Sequence, residues 1–226
     1  KEDAMSSAVI QLLVLAGIAI FLILRLRSVL GSREGFEKPT VPMGGANDQN
    51  RAPRREFEVI EGGVDRDITD HVDDGTEAAK ALAAMKIAEP GFNVGEFLQG
   101  ARSAYEMILM AFEQGDMDAV KPFIADDVYE AFADVIRQRE EQGLTIDANF
   151  VGMREVSLVD ASFERDTSTG EVTVRFIGEL TSVVRNAEGE IVEGDPQAIK
   201  RQKDVWSFAR QMGTGDPNWQ LVATGE

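Results

Sequence analysis

Gly143-Leu144-Thr145-Ile146-Asp147-Ala148-Asn149-Phe150 is where the hydrophobic period of this chain changes. After Gly143, Ile146, Ala148 and Phe150 alternate with Thr145, Asp147 and Asn149, the two-residue period of a strand with one buried face. Before it, Phe97, Ala101, Tyr105, Ile108, Leu109 and Phe112 recur at three- and four-residue spacing, the period of a helix with one apolar stripe. Helices first and a run of strands after them predict an α+β domain, its helices packed on one face of a curved antiparallel sheet.

Working back from Gly143, the helices carry their own punctuation. Asn93 and Glu96 have the spacing of a capping box, and Phe92 and Phe97 that of a hydrophobic staple. Gly115 supplies a stop, and Asp116 opens a short turn that ends near Pro122. Asp127 and Glu130 repeat the capping-box spacing for a helix running to Gln142, with Phe132, Val135 and Ile136 on its buried side. Thr76 to Ala88 has helix-forming composition, with Ala79, Leu82, Ala83, Met85 and Lys86 about its apolar side, and is broken by Glu89-Pro90-Gly91.

Working forward, Gly152 marks a bulge, and Val156 and Leu158 continue the first strand. Thr167-Ser168-Thr169-Gly170 is a turn. Val172, Val174, Phe176, Leu180 and Val184 alternate along a second long strand with Gly178 as a bend. A polar excursion from Asn186 to Gln197 turns at Glu188-Gly189. Val205, Trp206 and Phe208 define a third long strand, in which Asp204 reads as part of the polar phase. Asp216-Pro217-Asn218 leads into a short last strand, Trp219 to Ala223. Long bulged strands wrapped on helices make a cone, and Phe97, Tyr105, Phe112, Trp206, Phe208 and Trp219 are the residues expected to bound its apolar throat. The folded core is expected from about residue 88.

Outside this domain the chain reads differently. Residues 5–30 form the expected transmembrane anchor. Met5, which reads as the native start, opens a stretch of about 20 residues, the length a helix needs to cross about 30 Å of hydrocarbon. Its apolar side chains are Val9, Ile10, Leu12, Leu13, Leu15, Ile18, Ile20, Phe21, Leu22 and Leu24. Arg25, Arg27 and Arg33 follow the apolar core instead of preceding it, which argues against a cleaved signal peptide and holds this end in the cytoplasm. Residues 31–75 are rich in Gly, Pro, Asn and charge, and are expected to be a disordered tether. Residues 76–226 are the domain.

The composition narrows function further. Net charge is −17, and residues 88–226 alone carry 12 Lys and Arg against 26 Asp and Glu, a balance that repels a phosphate backbone and excludes a general nucleic-acid binder. There is no cysteine, so disulfides, thiolate metal sites and cysteine nucleophiles are excluded. The single histidine, His71, stands among acidic residues in the stretch read as tether. The expected catalytic, cofactor-binding and metal-ligating sets are therefore all "none".

Four runs carry a resemblance. They are Gly100-Ala101-Arg102-Ser103-Ala104-Tyr105-Glu106-Met107-Ile108, Val174-Arg175-Phe176, Val205-Trp206-Ser207-Phe208-Ala209-Arg210 and Asp216-Pro217-Asn218-Trp219-Gln220-Leu221-Val222-Ala223-Thr224. Together they resemble the Tim44-like domain family, in particular its alphaproteobacterial adaptor branch, TimA, over about 76–226. The resemblance implies a nuclear-transport-factor-two-like cone and a single-pass protein of the bacterial inner membrane, N-terminus periplasmic and domain cytoplasmic. It implies a non-enzymatic adaptor whose partners are inner-membrane proteins, a translocation complex or a chaperone, together with the lipid bilayer. The chain departs from the mitochondrial member in having a spanning segment and no long charged chaperone-binding segment. Two alternatives accompany this expectation: a membrane tether for ribosomes acting through a ribosomal protein, and a pocket enzyme of the cone fold.

Overall fold

Asn93 starts the helix that organises the domain. In the computed structural model, which describes residues 65–225, its side-chain Oδ1 accepts the Glu96 N–H at 2.8 Å. The Phe92 and Phe97 rings meet edge-on at 6.4 Å, so the staple forms as the spacing predicts, and of the capping box the Asn93 half forms. The helix runs Val94–Gln114 and ends at Gly115, whose φ of +78° is the left-handed conformation that glycine adopts without strain.

The elements in chain order are α1 (Arg66–Thr69), α2 (Glu77–Ala88), α3 (Val94–Gln114), a 3₁₀ turn (Lys121–Phe123), α4 (Asp126–Glu141) and strands β1 (Thr145–Glu164), β2 (Thr169–Arg185), β3 (Ile191–Gly194), β4 (Lys200–Gln211) and β5 (Gln220–Gly225). The sheet is antiparallel in the order β1-β2-β4-β5, with β3 paired to the end of β2. Helices α2 and α3 lie against β1, and the core fills the space between them and the inner face of the sheet. The fold is α+β, as the change of period at Gly143 predicts.

The register of β1 slips three times against β2, between Phe150 and Gly152, Met153 and Glu155, and Leu158 and Asp160. Each slip adds a residue to β1 and bends it, and the first is the bulge expected at Gly152. Gly178 has a packing role in the same bend. A Cβ there would lie 3.2 Å from Phe150 Cε2 and 3.4 Å from the Tyr105 ring, so the bare backbone makes room for two aromatic rings.

Several expectations are corrected. Helix α4 has no capping box: its N-cap is Ala125, and the Asp127 carboxylate accepts only the adjacent Val128 N–H at 2.9 Å. The entry is set by backbone pairing instead, Ala125 donating to the Leu221 carbonyl at 2.9 Å beside the Ile124–Leu221 bridge. The buried stripe of α4 is Val128 and Ile136 with half-buried Phe132 between them, four residues apart, and Val135 is 43% exposed. On β2 the buried valine after Leu180 is Val183 and not Val184: the strand keeps its register with β1 from Leu180 to Arg185, so Val183 lies on the face opposite Leu180, where β3 pairs with it at Gly194.

The folded chain also begins earlier than residue 88. Thr76 caps α2, accepting the Ala79 N–H at 3.2 Å, and Leu82 and Met85 are fully buried in the same core as α3. Residues 65–75, read as tether, hold α1 and a buried Ile68. His71 is exposed there. Among the described residues no helix is long and apolar enough to cross a membrane. The expected anchor at 5–30, its flanking arginines and the tether up to residue 64 lie outside the described residues.

Candidate functional site

Strand pairing decides which side chains share the inner face. Val172 stands opposite Phe208, Val174 opposite Trp206, Phe176 opposite Asp204 and Leu180 opposite Lys200. Side chains two apart on a strand share a face, so Asp204 points inward with Trp206 and Phe208. The reading that placed Asp204 in the outward polar phase is corrected by parity alone.

Five of the six residues expected at the throat form one continuous aromatic stack. Trp206 lies 4.7 Å from Tyr105 and 6.3 Å from Phe208 between ring centroids, Phe208 lies 6.2 Å from Phe97, and Phe97 lies 4.6 Å from Trp219. Phe176 completes it, stacked 4.5 Å from Tyr105. Phe112 stands apart, two turns beyond Tyr105 along α3, and packs on Phe132 at 4.9 Å. Tyr105, Phe176, Phe208, Trp206 and Phe97 are all buried, and Trp219 is half-buried.

A polar arrangement begins where the aromatics end. The Tyr105 hydroxyl donates to Asp204 Oδ2 at 2.5 Å, and the Gln202 amide donates to Asp204 Oδ1 at 3.4 Å. Burial, and then this bond to a carboxylate, push the Tyr105 phenol far above its usual range. Beyond Gln202 lies an open cleft of about 610 Å³ lined by Glu113, Leu180, Ser182, Lys200, Gln202 and Lys203 among others. None of the six predicted aromatic residues lines it. Burial holds the Glu113 carboxyl above its usual range, against the opposing pull of Arg139 and Lys200. The same burial lowers Arg139, which donates to the Phe112 carbonyl at 2.6 Å and lies 5.0 Å from the Phe112 ring.

The Tyr105–Asp204 pair joins residues 99 apart in sequence, and its only advance signal is the shared parity of positions 202, 204, 206 and 208. A hydrogen-bonded tyrosine and carboxylate next to a cleft can position a polar ligand. The Tyr105 hydroxyl is fully buried, and no histidine or metal-holding cluster stands beside it among the described residues.

The quoted sequence runs acquire a physical account here. Arg210, at the end of the Val205–Arg210 run, lies 5.0 Å over the Trp219 ring and donates to the Asp216 carbonyl at 3.1 Å, so it ties that run to Asp216–Thr224. It also pairs with Glu89 Oε1 at 2.6 Å, and Glu89 Oε2 accepts the Gly213 N–H at 2.9 Å. Residues far apart in the chain thus form one clamp that closes the β4–β5 corner onto the end of α2.

Comparison with known proteins places this architecture. Residues 78–226 match the family model described as Tim44-like domain. The chain is similar to the mitochondrial import inner membrane translocase subunit TIM44 of Homo sapiens, at 29% identity over 168 residues covering 70% of this chain and 36% of that protein. It is also similar to the probable mitochondrial import inner membrane translocase subunit tin-44 of Caenorhabditis elegans, at 21% identity over 150 residues, 65% of this chain and 35% of that one. The chain spans about a third of the length of the curated relatives it matches. Among solved structures it is similar to the intermembrane space region of the chloroplast protein ARC6, with TM-score 0.38, 10% identity and coverage of 58% of this chain and 92% of that one.

Proposed function

The chain belongs to the Tim44-like domain family, and from that membership we propose that it is a membrane-anchored, non-enzymatic adaptor of the TimA kind. In this reading residues 5–30 fix it in a bacterial inner membrane, 31–64 are a tether, and the domain faces the cytoplasm with a nuclear-transport-factor-two-like shape. The observation that carries the reading is the family match over 78–226, whose curated relatives are named as subunits of a mitochondrial inner-membrane translocase. The chemistry agrees with it. The inner face of the sheet is largely spent on aromatic packing and on the Tyr105–Asp204–Gln202 hydrogen bonds, which favours surfaces as the working parts.

An anchor and tether contribute affinity by confinement. A flexible tether of roughly 34 residues has an r.m.s. reach of about 30–35 Å, which raises the effective concentration of the domain for partners in the same membrane. The partner classes are a translocation complex, a chaperone or another inner-membrane assembly, and the cleft bounded by Glu113, Lys200, Arg201 and Lys203, with Leu180 its one apolar lining residue, is where a polar partner segment would seat.

Photocrosslinking in intact membranes from positions Ser182 and Gln202 tests this. The expected products join the domain to components of a translocation machinery or to a chaperone. Products confined to ribosomal proteins would overturn the adaptor reading in favour of a ribosome tether, whose direct docking on rRNA the acidic domain opposes.

A further inference from the structure

We propose that residues 65–75 form a releasable strap, held to the domain chiefly through the Asp67 carboxylate, whose undocking lengthens the connection upstream of the domain without unfolding it. Asp67, on the four-residue helix α1, reaches 27 residues along the chain to the start of α3. Its Oδ2 accepts the Val94 N–H at 2.8 Å and its Oδ1 accepts the Gly95 N–H at 3.0 Å. The Lys86 ammonium, on α2, sits 2.7 Å from Asp67 and 2.8 Å from Asp65, bridging strap and domain a second time. Gly95 leaves room for this approach: a Cβ there would lie 3.3 Å from the Asn93 side chain and 3.6 Å from Asp67.

The domain keeps its own structure when this contact opens. Helix α3 has an internal cap, because Asn93 serves the third free N–H at Glu96 while Asp67 serves only the first two. Helix α2 likewise has Thr76. The strap has little of its own to hold it. A single helical turn does not persist in isolation, and its apolar attachment is buried Ile68 with half-buried Val72. Asp70, His71, Asp73 and Asp74 are exposed, and Gly75 stands at φ +76° immediately before the α2 cap, with open space around it, which makes it a hinge. Burial opposes ionisation of Asp67, but Lys86 and the two backbone N–H groups outweigh it and hold the carboxyl below its usual range, so it is charged when docked.

Undocked, the eleven residues from 65 to 75 add up to about 40 Å of contour between the domain and the chain before it. The consequence for reach rests on the anchored-adaptor reading; the release itself does not. Hydrogen–deuterium exchange of the full chain in detergent micelles separates the two. Peptides within 65–75 are expected to exchange at least ten-fold faster than peptides of β2 and β4. Asp67→Ala is expected to raise strap exchange, and that of the Val94 and Gly95 amides, by a further factor of about ten with β2 and β4 unchanged, while Asp67→Asn, which keeps one acceptor, falls between. A strap that exchanges at the rate of β2 and β4, or an Asp67→Ala variant that leaves the strap unchanged or accelerates strap and sheet by the same factor, would overturn the proposal. None of these outcomes depends on where the protein resides, and a strap that releases in a protein found away from membranes would count against the anchor alone.

Discussion

Replacing Trp206 by alanine is expected to lower the unfolding free energy by about 3–5 kcal/mol, the cost of emptying a large aromatic site that its neighbours cannot fully close. The indole is 4% exposed and contacts Tyr105, Phe176 and Phe208 at centroid distances of 4.7, 5.9 and 6.3 Å. It stands opposite Val174 on the neighbouring strand, so its removal opens space at the centre of the sheet's inner face. Urea unfolding followed by circular dichroism measures the loss. Val135→Ala on α4, at a side chain 43% exposed, is the control and is expected to shift stability by less than about 0.5 kcal/mol. A Trp206→Ala loss under about 1 kcal/mol would mean that the ring borders open space rather than packed neighbours, and the throat would then be a cavity.

Deleting residues 5–30 is expected to convert the chain from one that sediments with membranes into one that stays in the supernatant, with its thermal transition unchanged. Twelve Leu, Ile, Val and Phe side chains lie between Ala8 and Leu24. At about 0.3–0.6 kcal/mol each near a helix centre they give roughly 4–7 kcal/mol of insertion free energy. Among the described residues the core from Ile68 to Leu221 is built from the unit's own side chains, so the deletion is expected to leave it folded. Fractionation by ultracentrifugation, with circular dichroism of the soluble product, reads both halves of the expectation. Persistent membrane association, or loss of the cooperative transition, would contradict the division of the chain into anchor, tether and domain.

How much of this was legible from the residues depended on how local the deciding interaction is. The α3 cap and staple, its Gly115 stop, the alternation of Ile146, Ala148 and Phe150 and the bulge at Gly152 each rest on neighbours within a few positions, and each could be read. The start of α4 could not, because a backbone bond from Ala125 to Leu221, 96 residues away, overrides the Asp127 and Glu130 spacing. Helix α1 escaped for the same reason. Ile68 and Val72 are isolated apolar residues in a polar stretch, and only the contact of Asp67 with the α3 N-terminus shows why the chain is ordered there. At the candidate site, five of the six expected aromatic residues do come together, because strand parity and helical period both place them inward. The sixth, Phe112, lies two turns beyond Tyr105 along α3 and joins α4 instead. The Asp204 carboxylate was legible in principle, being two residues from Trp206, but what accommodates its charge on an inner face includes a bond from Tyr105, 99 positions away, which no local pattern announces.

The central claim is that the domain is held at the cytoplasmic face of an inner membrane, and limited proteolysis of the full-length chain in oriented membranes tests it most directly. In inverted vesicles, added protease is expected to cut between about residues 31 and 64 and release the intact domain, while the same protease leaves the chain untouched in right-side-out spheroplasts. Arg25, Arg27 and Arg33, retained on the cytoplasmic side, set that orientation. Cleavage in spheroplasts with protection in inverted vesicles would contradict the account.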